Sequence, residues 1–236
     1  MKKLVSLTLA LMLITLVACS SDAGDTKSSL VTDPLGDWNR LVEEGKTTED
    51  MVVNGDIVVS EGPLGPGVYD MEVLSLNGHV ANLKGTRQEG YDMPLRYIIT
   101  VPENSPTYPS KLRLILFKGD TLNFNKEATV KFTAVPKKVD MTNELGIGHF
   151  IVGRDIQAGH YKLDTNVALD PTYGSLGWQV YHYSAKTGEE SDYELNPDNP
   201  NVDLDIKDGD VITTILDTDS EETAANDAKL IFNQVQ

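Results

Sequence analysis

Gly67-Val68-Tyr69-Asp70-Met71-Glu72-Val73 and Gly159-His160-Tyr161-Lys162-Leu163 decide the fold. In the first, Tyr69, Met71 and Val73 face one way and Asp70 and Glu72 the other. In the second, Tyr161 and Leu163 oppose His160 and Lys162. A period of two marks a strand with one buried face and one wet face. The similarity extends outward from both segments. Gly55-Asp56-Ile57-Val58-Val59 precedes the first, and Gly148-His149-Phe150-Ile151-Val152 precedes the second. Downstream, Leu112 to Asp120 (LRLILFKGD) aligns without gaps on Val202 to Asp210 (VDLDIKDGD), and Thr129 to Val135 (TVKFTAV) aligns on Lys229 to Val235 (KLIFNQV). The order is kept and the spacings nearly so, which is the signature of an internal repeat. Lys118-Gly119-Asp120 and Asp208-Gly209-Asp210 read as equivalent tight turns. The expected fold is therefore all-β, with two tandem small antiparallel β-sandwich, jelly-roll-like domains over residues 51–136 and 145–236, joined by a linker at 137–144.

The N-terminus reads differently. Met1-Lys2-Lys3 is a short basic start, and Leu4 to Ala18 is an apolar run interrupted only by Ser6, Thr8 and Thr15. A spanning helix needs about 20 apolar residues, so residues 1–18 read as a signal peptide. The run ends Leu16-Val17-Ala18-Cys19, and Cys19 is the sole cysteine of the chain. This resembles the lipobox of bacterial lipoproteins. The resemblance implies cleavage before Cys19, diacylglycerol on its thiol and stable anchoring by several acyl chains. Residues 19–36 then read as a flexible tether. Residues 37–50 read as a short helix and lead-in, with Asp37 as cap, Trp38, Leu41 and Val42 on one face and Gly45 as stop. That face is expected to dock on the first domain, with Trp38 as its packing anchor.

Gly148 to Tyr161 (GHFIVGRDIQAGHY) also resembles a repeat of uncharacterised lipoproteins and surface proteins of Gram-positive bacteria, of pattern G-x-Y-x-V-G-x-D-I-x-A-G-x-Y. Gly148, Val152, Gly153, Asp155, Ile156, Ala158, Gly159 and Tyr161 carry the match, and Phe150 stands where the first Tyr would be. The first copy departs from it, with Ser60 to Pro66 in the middle. The resemblance implies a small β module at the extracytoplasmic face of a cell membrane, on a Gram-positive surface rather than in a Gram-negative periplasm. It brings no activity with it.

Composition excludes several functions. The 236 residues carry 36 Asp+Glu against 20 Lys+Arg, a formal charge of −16. No basic footprint for nucleic acid exists. One cysteine cannot form an internal disulfide. The acidic stretch Asp198 to Asp210 fails as a calcium loop, because counting from Asp203 places Lys207 at position five and Thr214 at position twelve. Asp217 to Glu222 is a second acidic loop, read as solvated charge. His79, His149, His160 and His182 form no i, i+4 pair and read as surface. Gly174-Ser175-Leu176-Gly177 is not a nucleophile elbow. The expectation is a protein that is not an enzyme and has no metal or cofactor. It is anchored to the membrane by lipid and presents two β modules for interaction with a protein partner or as a spacer. The alternative is carbohydrate binding. On the strand 177–184, Trp178, Val180 and His182 share one face and Gln179, Tyr181 and Tyr183 the other. If Val180 faces the core, Tyr181 and Tyr183 form an exposed aromatic pair beside Gln179. Trp178, Gln179, Tyr181 and Tyr183 are thus the candidate carbohydrate-binding residues.

Overall fold

A computed structural model describes residues 33–60, 62–87, 91, 93–218 and 224–235. The leader, Cys19 and the tether up to residue 32 lie outside the described residues, as does most of the acidic loop from Asp217 to Glu222. Among these residues one α-helix, α1 (Pro34–Glu44), precedes fourteen strands: β1 (Met51–Val58), β2 (Gly67–Leu76), β3 (Ala81–Thr86), β4 (Arg96–Ile99), β5 (Lys111–Leu116), β6 (Thr121–Ala134), β7 (Glu144–Leu145), β8 (Gly148–Ile151), β9 (Gly159–Thr165), β10 (Gly177–Tyr183), β11 (Glu190–Leu195), β12 (Asp203–Ile206), β13 (Val211–Asp217) and β14 (Leu230–Gln234). Ten strands form one curled sheet, in the order β11-β10-β13-β8-β5-β2-β6-β3-β4 with β1 also on β6. The other four form a sheet of order β12-β9-β14-β7.

The ladders repeat between the halves. Tyr69 pairs Leu114 and Tyr161 pairs Leu204; Met71 pairs Phe132 and Leu163 pairs Phe232. Val58 opposite Thr121 has its counterpart in Ile151 opposite Val211, and Leu83 opposite Tyr97 in Val180 opposite Tyr193. The Gly-x-Tyr element has a physical basis. The Tyr69 hydroxyl donates to Gly65 O (3.0 Å) and the Tyr161 hydroxyl to Gln157 O (2.9 Å), each four residues back. Both rings stand edge-on to a phenylalanine, Tyr69 on Phe132 at 5.9 Å and Tyr161 on Phe232 at 5.6 Å. Such pairs contribute about 0.5–1.5 kcal/mol beyond area burial. A Cβ on Gly67 would lie 2.9 Å from the Tyr69 ring, and one on Gly159 3.1 Å from the Tyr161 ring, so the ring covers the glycine.

The halves are joined through the large sheet. β5 and β8 run parallel and meet at Arg113 opposite Gly148. The Arg113 amide donates to Ile147 O (3.1 Å), and Ala225 N donates to Pro106 O (2.7 Å) beside it. Buried residues of both halves belong to one contiguous core, from Val53 to Phe132 and from Leu145 to Phe232.

Helix α1 starts one turn before the expected Asp37. Asp33 is the cap, its carboxylate accepting from Gly36 N (3.0 Å), and Pro34 takes the first turn, where its missing N–H costs nothing. Trp38, Leu41 and Val42 are buried as the spacing requires. They do not dock on the first half alone: they pack with Val68, Ile115 and Val135 from it and with Ile151, Tyr183 and Val211 from the second. The Trp38 indole N–H donates to Gly209 O (2.7 Å), in the second-half turn. Trp38→Phe would keep the ring packing and leave that buried carbonyl unpaired. The expected loss is about 1–3 kcal/mol, read as a lower urea midpoint at unchanged slope.

Candidate functional site

The strand that carries the candidate aromatics lies second from the edge of the large sheet, and its two faces meet different surroundings. Trp178 and Val180 are fully buried in the core, and the Trp178 indole N–H donates to Thr165 Oγ1 (2.7 Å). Trp178 is a core residue and presents no ring to a ligand. On the other face the expected exposed pair does not form. Tyr183 is only 3 % exposed and stands edge-on to Tyr91 at 5.3 Å, beneath the cluster that α1 covers. Burial raises its hydroxyl pKa. Alternation assigned Tyr183 to the right face, but a helix remote in sequence covers that end of it. Gln179 and Tyr181 stay half-buried, and the Tyr181 hydroxyl donates to Gln179 Oε1 (3.1 Å).

Gln179 lines a cleft between the halves, and Tyr181 adjoins it through its contact with Arg96. Its volume is about 330 Å³, and β3 and β4 face β10 and β13 across it. Ile98, Pro109, Ile147 and Ile215 supply apolar walls; Asn82, Lys84, Arg96, Gln179 and Asp217 supply polar ones. Arg96 closes one end. Its guanidinium donates to the Tyr181 hydroxyl (2.5 Å) and lies 5.8 Å from the ring centre. Lys84 sits opposite Arg96 in the β3·β4 ladder. Neither cation was singled out by sequence reasoning. The signal available was a Lys and an Arg on strands of an otherwise acidic chain.

A second cavity, about 540 Å³, lies elsewhere along the joint, lined in part by Asp70, Lys111, Arg113 and Phe150. Its arginine and Lys111 already hold carboxylates. Arg113 grips Asp70 with two bonds (2.8 and 3.0 Å) and reaches Asp155 Oδ1 (3.0 Å), and Lys111 lies 3.3 Å from Glu72. Arg154 completes the set, bonding Asp155 Oδ1 (2.5 Å) and Pro136 O (2.6 Å).

The histidines divide by environment. His79 and His160 are exposed, as expected. His182 bonds the buried Asp210 (2.8 Å). His149 overturns the surface expectation, because β8 lies mid-sheet between β13 and β5 and all four of its residues are buried. Ile115 N donates to His149 Nδ1 (2.9 Å), so the proton sits on Nε2, which donates to Pro94 O (2.8 Å). Burial and the charge of Arg87 push its pKa down from 6.5 to about 3. The unfolded chain therefore takes up a proton near pH 6.5 that the fold refuses. The His149 contribution is intact above pH 6.5 and falls by about 1.4 kcal/mol per pH unit on acidification toward pH 3. His149→Gln is expected to flatten that part of the stability profile, measured by urea titration at pH 7, 6, 5 and 4.

Asp203 and Asp205 project outward from β12, and Asp205 bonds Lys207 (2.7 Å). Among the described residues, no three His, Cys, Asp or Glu side chains gather as a metal site. No helix among them is long and apolar enough to cross a membrane. No family model, no curated protein and no solved structure matches the chain.

Proposed function

We propose that the chain is a lipid-anchored, non-enzymatic surface protein that presents two tandem β-sandwich modules as one rigid body for interaction or spacing. The observation that carries this reading is the joint. A shared sheet, the Arg113–Asp155 pair and the helix over the seam hold the halves at a fixed angle, which suits presentation at a distance from a membrane. The residue-for-residue repetition of the ladders supports the modular reading. The run Leu16-Val17-Ala18-Cys19 supports the anchor. A formal charge of −16 would hold the modules off anionic membranes and favour cationic partners.

Metabolic labelling with a clickable palmitate analogue tests the anchor. The wild-type chain takes up label and sediments with membranes, whereas Cys19→Ser loses the label and appears in the soluble fraction. Equal labelling of the two would overturn the reading. Carbohydrate binding remains a second reading, favoured by the half-exposed Tyr181 ring bonded to the Gln179 amide that lines the cleft, and no longer by Trp178 or Tyr183. Retention on a glycan panel that Tyr181→Ala abolishes would establish it; equal retention of the variant would remove it.

A further inference from the structure

We propose that the cleft between β3–β4 and β10–β13 binds a small amphipathic monoanion: an apolar body carrying one carboxylate or sulfonate. This goes beyond the surface-presentation reading and does not depend on Cys19.

The first observation is a charge placement the fold does not need. Lys84 and Arg96 are direct cross-strand neighbours. Like charges so placed destabilise a sheet. The chain has 36 acids from which to choose a partner, and Arg87, Arg113 and Arg154 each hold an aspartate. Among the described residues, neither Lys84 nor Arg96 meets a carboxylate. Arg96 is instead oriented by the Tyr181 hydroxyl and ring, which engage one face and one N–H of a group with five donors and leave the others for an incoming anion.

The second observation is the wall behind the cations. Ile98, Ile147 and Ile215 give the cleft an apolar lining suited to a hydrocarbon body rather than to a bare ion. The third observation limits the ligand to one anionic group. Asp217 lies four residues along β13 from Thr213, which pairs Tyr181. At about 3.3 Å per residue that is roughly 13 Å along β13 from the position opposite Tyr181. A second anionic head there would meet a carboxylate.

Equilibrium dialysis of octanoate, octylammonium and glucuronate against the full-length Cys19→Ser chain tests the site. Octanoate is expected to bind saturably, one per chain, with octylammonium and glucuronate at least tenfold weaker. The Lys84→Gln/Arg96→Gln double variant should lose at least tenfold in octanoate affinity. Lys126→Gln/Lys186→Gln removes the same charge from exposed positions elsewhere and should bind as the parent does. Any partition of octanoate into the apolar leader is common to all variants, so the difference between them reports the cleft. Equal binding of octylammonium would overturn the anion requirement, and equal binding of glucuronate the apolar body. Unchanged affinity in the first double variant, or no saturable binding up to millimolar octanoate, would overturn the site. Thermal melts guard against misfolding: Lys126→Gln/Lys186→Gln should melt with the parent, and Lys84→Gln/Arg96→Gln, relieved of the like-charge pair, no lower than it.

Discussion

Replacing Gly148 by alanine is expected to lower stability by about 3 kcal/mol or more, a drop in melting temperature on the order of 6–12 °C for a chain this size. Two independent causes add. Gly148 has a φ of +128°, a region that costs L-residues about 1–2 kcal/mol. A Cβ there would also collide with the Arg113 backbone, whose carbonyl oxygen and amide nitrogen both fall inside van der Waals contact. The collision is with main chain at the one point where the halves pair, so no side-chain rotation relieves it. Gly55 supplies the control. It holds the equivalent place in the first half and has a φ of +88°, yet a Cβ on it meets nothing within 4 Å. Gly55→Ala should therefore show the backbone cost alone, about 1–2 kcal/mol. If the two substitutions cost the same in parallel thermal melts, the close approach of β5 to β8 is not what Gly148 serves.

Asp155→Ala is expected to cost about 3–5 kcal/mol, because it strips the carboxylate from the buried Arg154 and one of two from Arg113 and leaves both cations in place. The carboxylate is 2 % exposed and makes three bonds: Oδ1 accepts from Arg113 and Arg154, and Oδ2 accepts from Ile151 N (2.8 Å). Arg154 is 5 % exposed, so its charge would have little access to water. Asp155→Asn keeps the shape and at least one acceptor and should fall between alanine and the parent. Pairing Asp155→Ala with Arg113→Met isolates the contact across the joint. A coupling energy near zero in that double-mutant cycle would mean that Asp155 serves only its own loop.

Much of this architecture could be read from side-chain alternation, and the reasons for the exceptions are specific. Tyr69, Met71 and Val73 announce their strand and its buried face. The self-alignment that matches them to Tyr161, Leu163 and Thr165 selects residues with the same ladder partners. Alternation names a face but says nothing of what covers it. Tyr183 shares its face with Gln179 and Tyr181, and only the arrival of α1 separates a buried ring from a half-exposed one. His149 reads as surface in the sequence because it is a lone histidine with no partner at i, i+4. Pairing covers only the edges of a strand; its faces here are covered by segments far along the chain, Pro94 and Tyr97 beside His149 and the Trp38 cluster over Ile151. Arg113 gave a local hint, a single charge in Leu-Arg-Leu-Ile-Leu, but its partner lies 42 residues downstream. The cleft cations were equally hidden, since Lys84 and Arg96 become neighbours only through the β3·β4 register.

The β5·β8 contact joins unlike surfaces, the side of one half to the opposite side of the next, and so it has polarity. Contacts of this kind do not close on themselves; left free at both ends, they grow into filaments. The unused ends of this chain are β12, the counterpart of β5, and β1, the counterpart of β8. On β12, Asp203 occupies the place of Arg113 and Asp205 that of Ile115; on β1, Asp56 occupies the place of His149. Two chains meeting end to end would bring carboxylates against a carboxylate where the internal joint sets an arginine against glycine and an amide against a neutral imidazole. Like charges so opposed would weigh against an end-to-end contact of this kind.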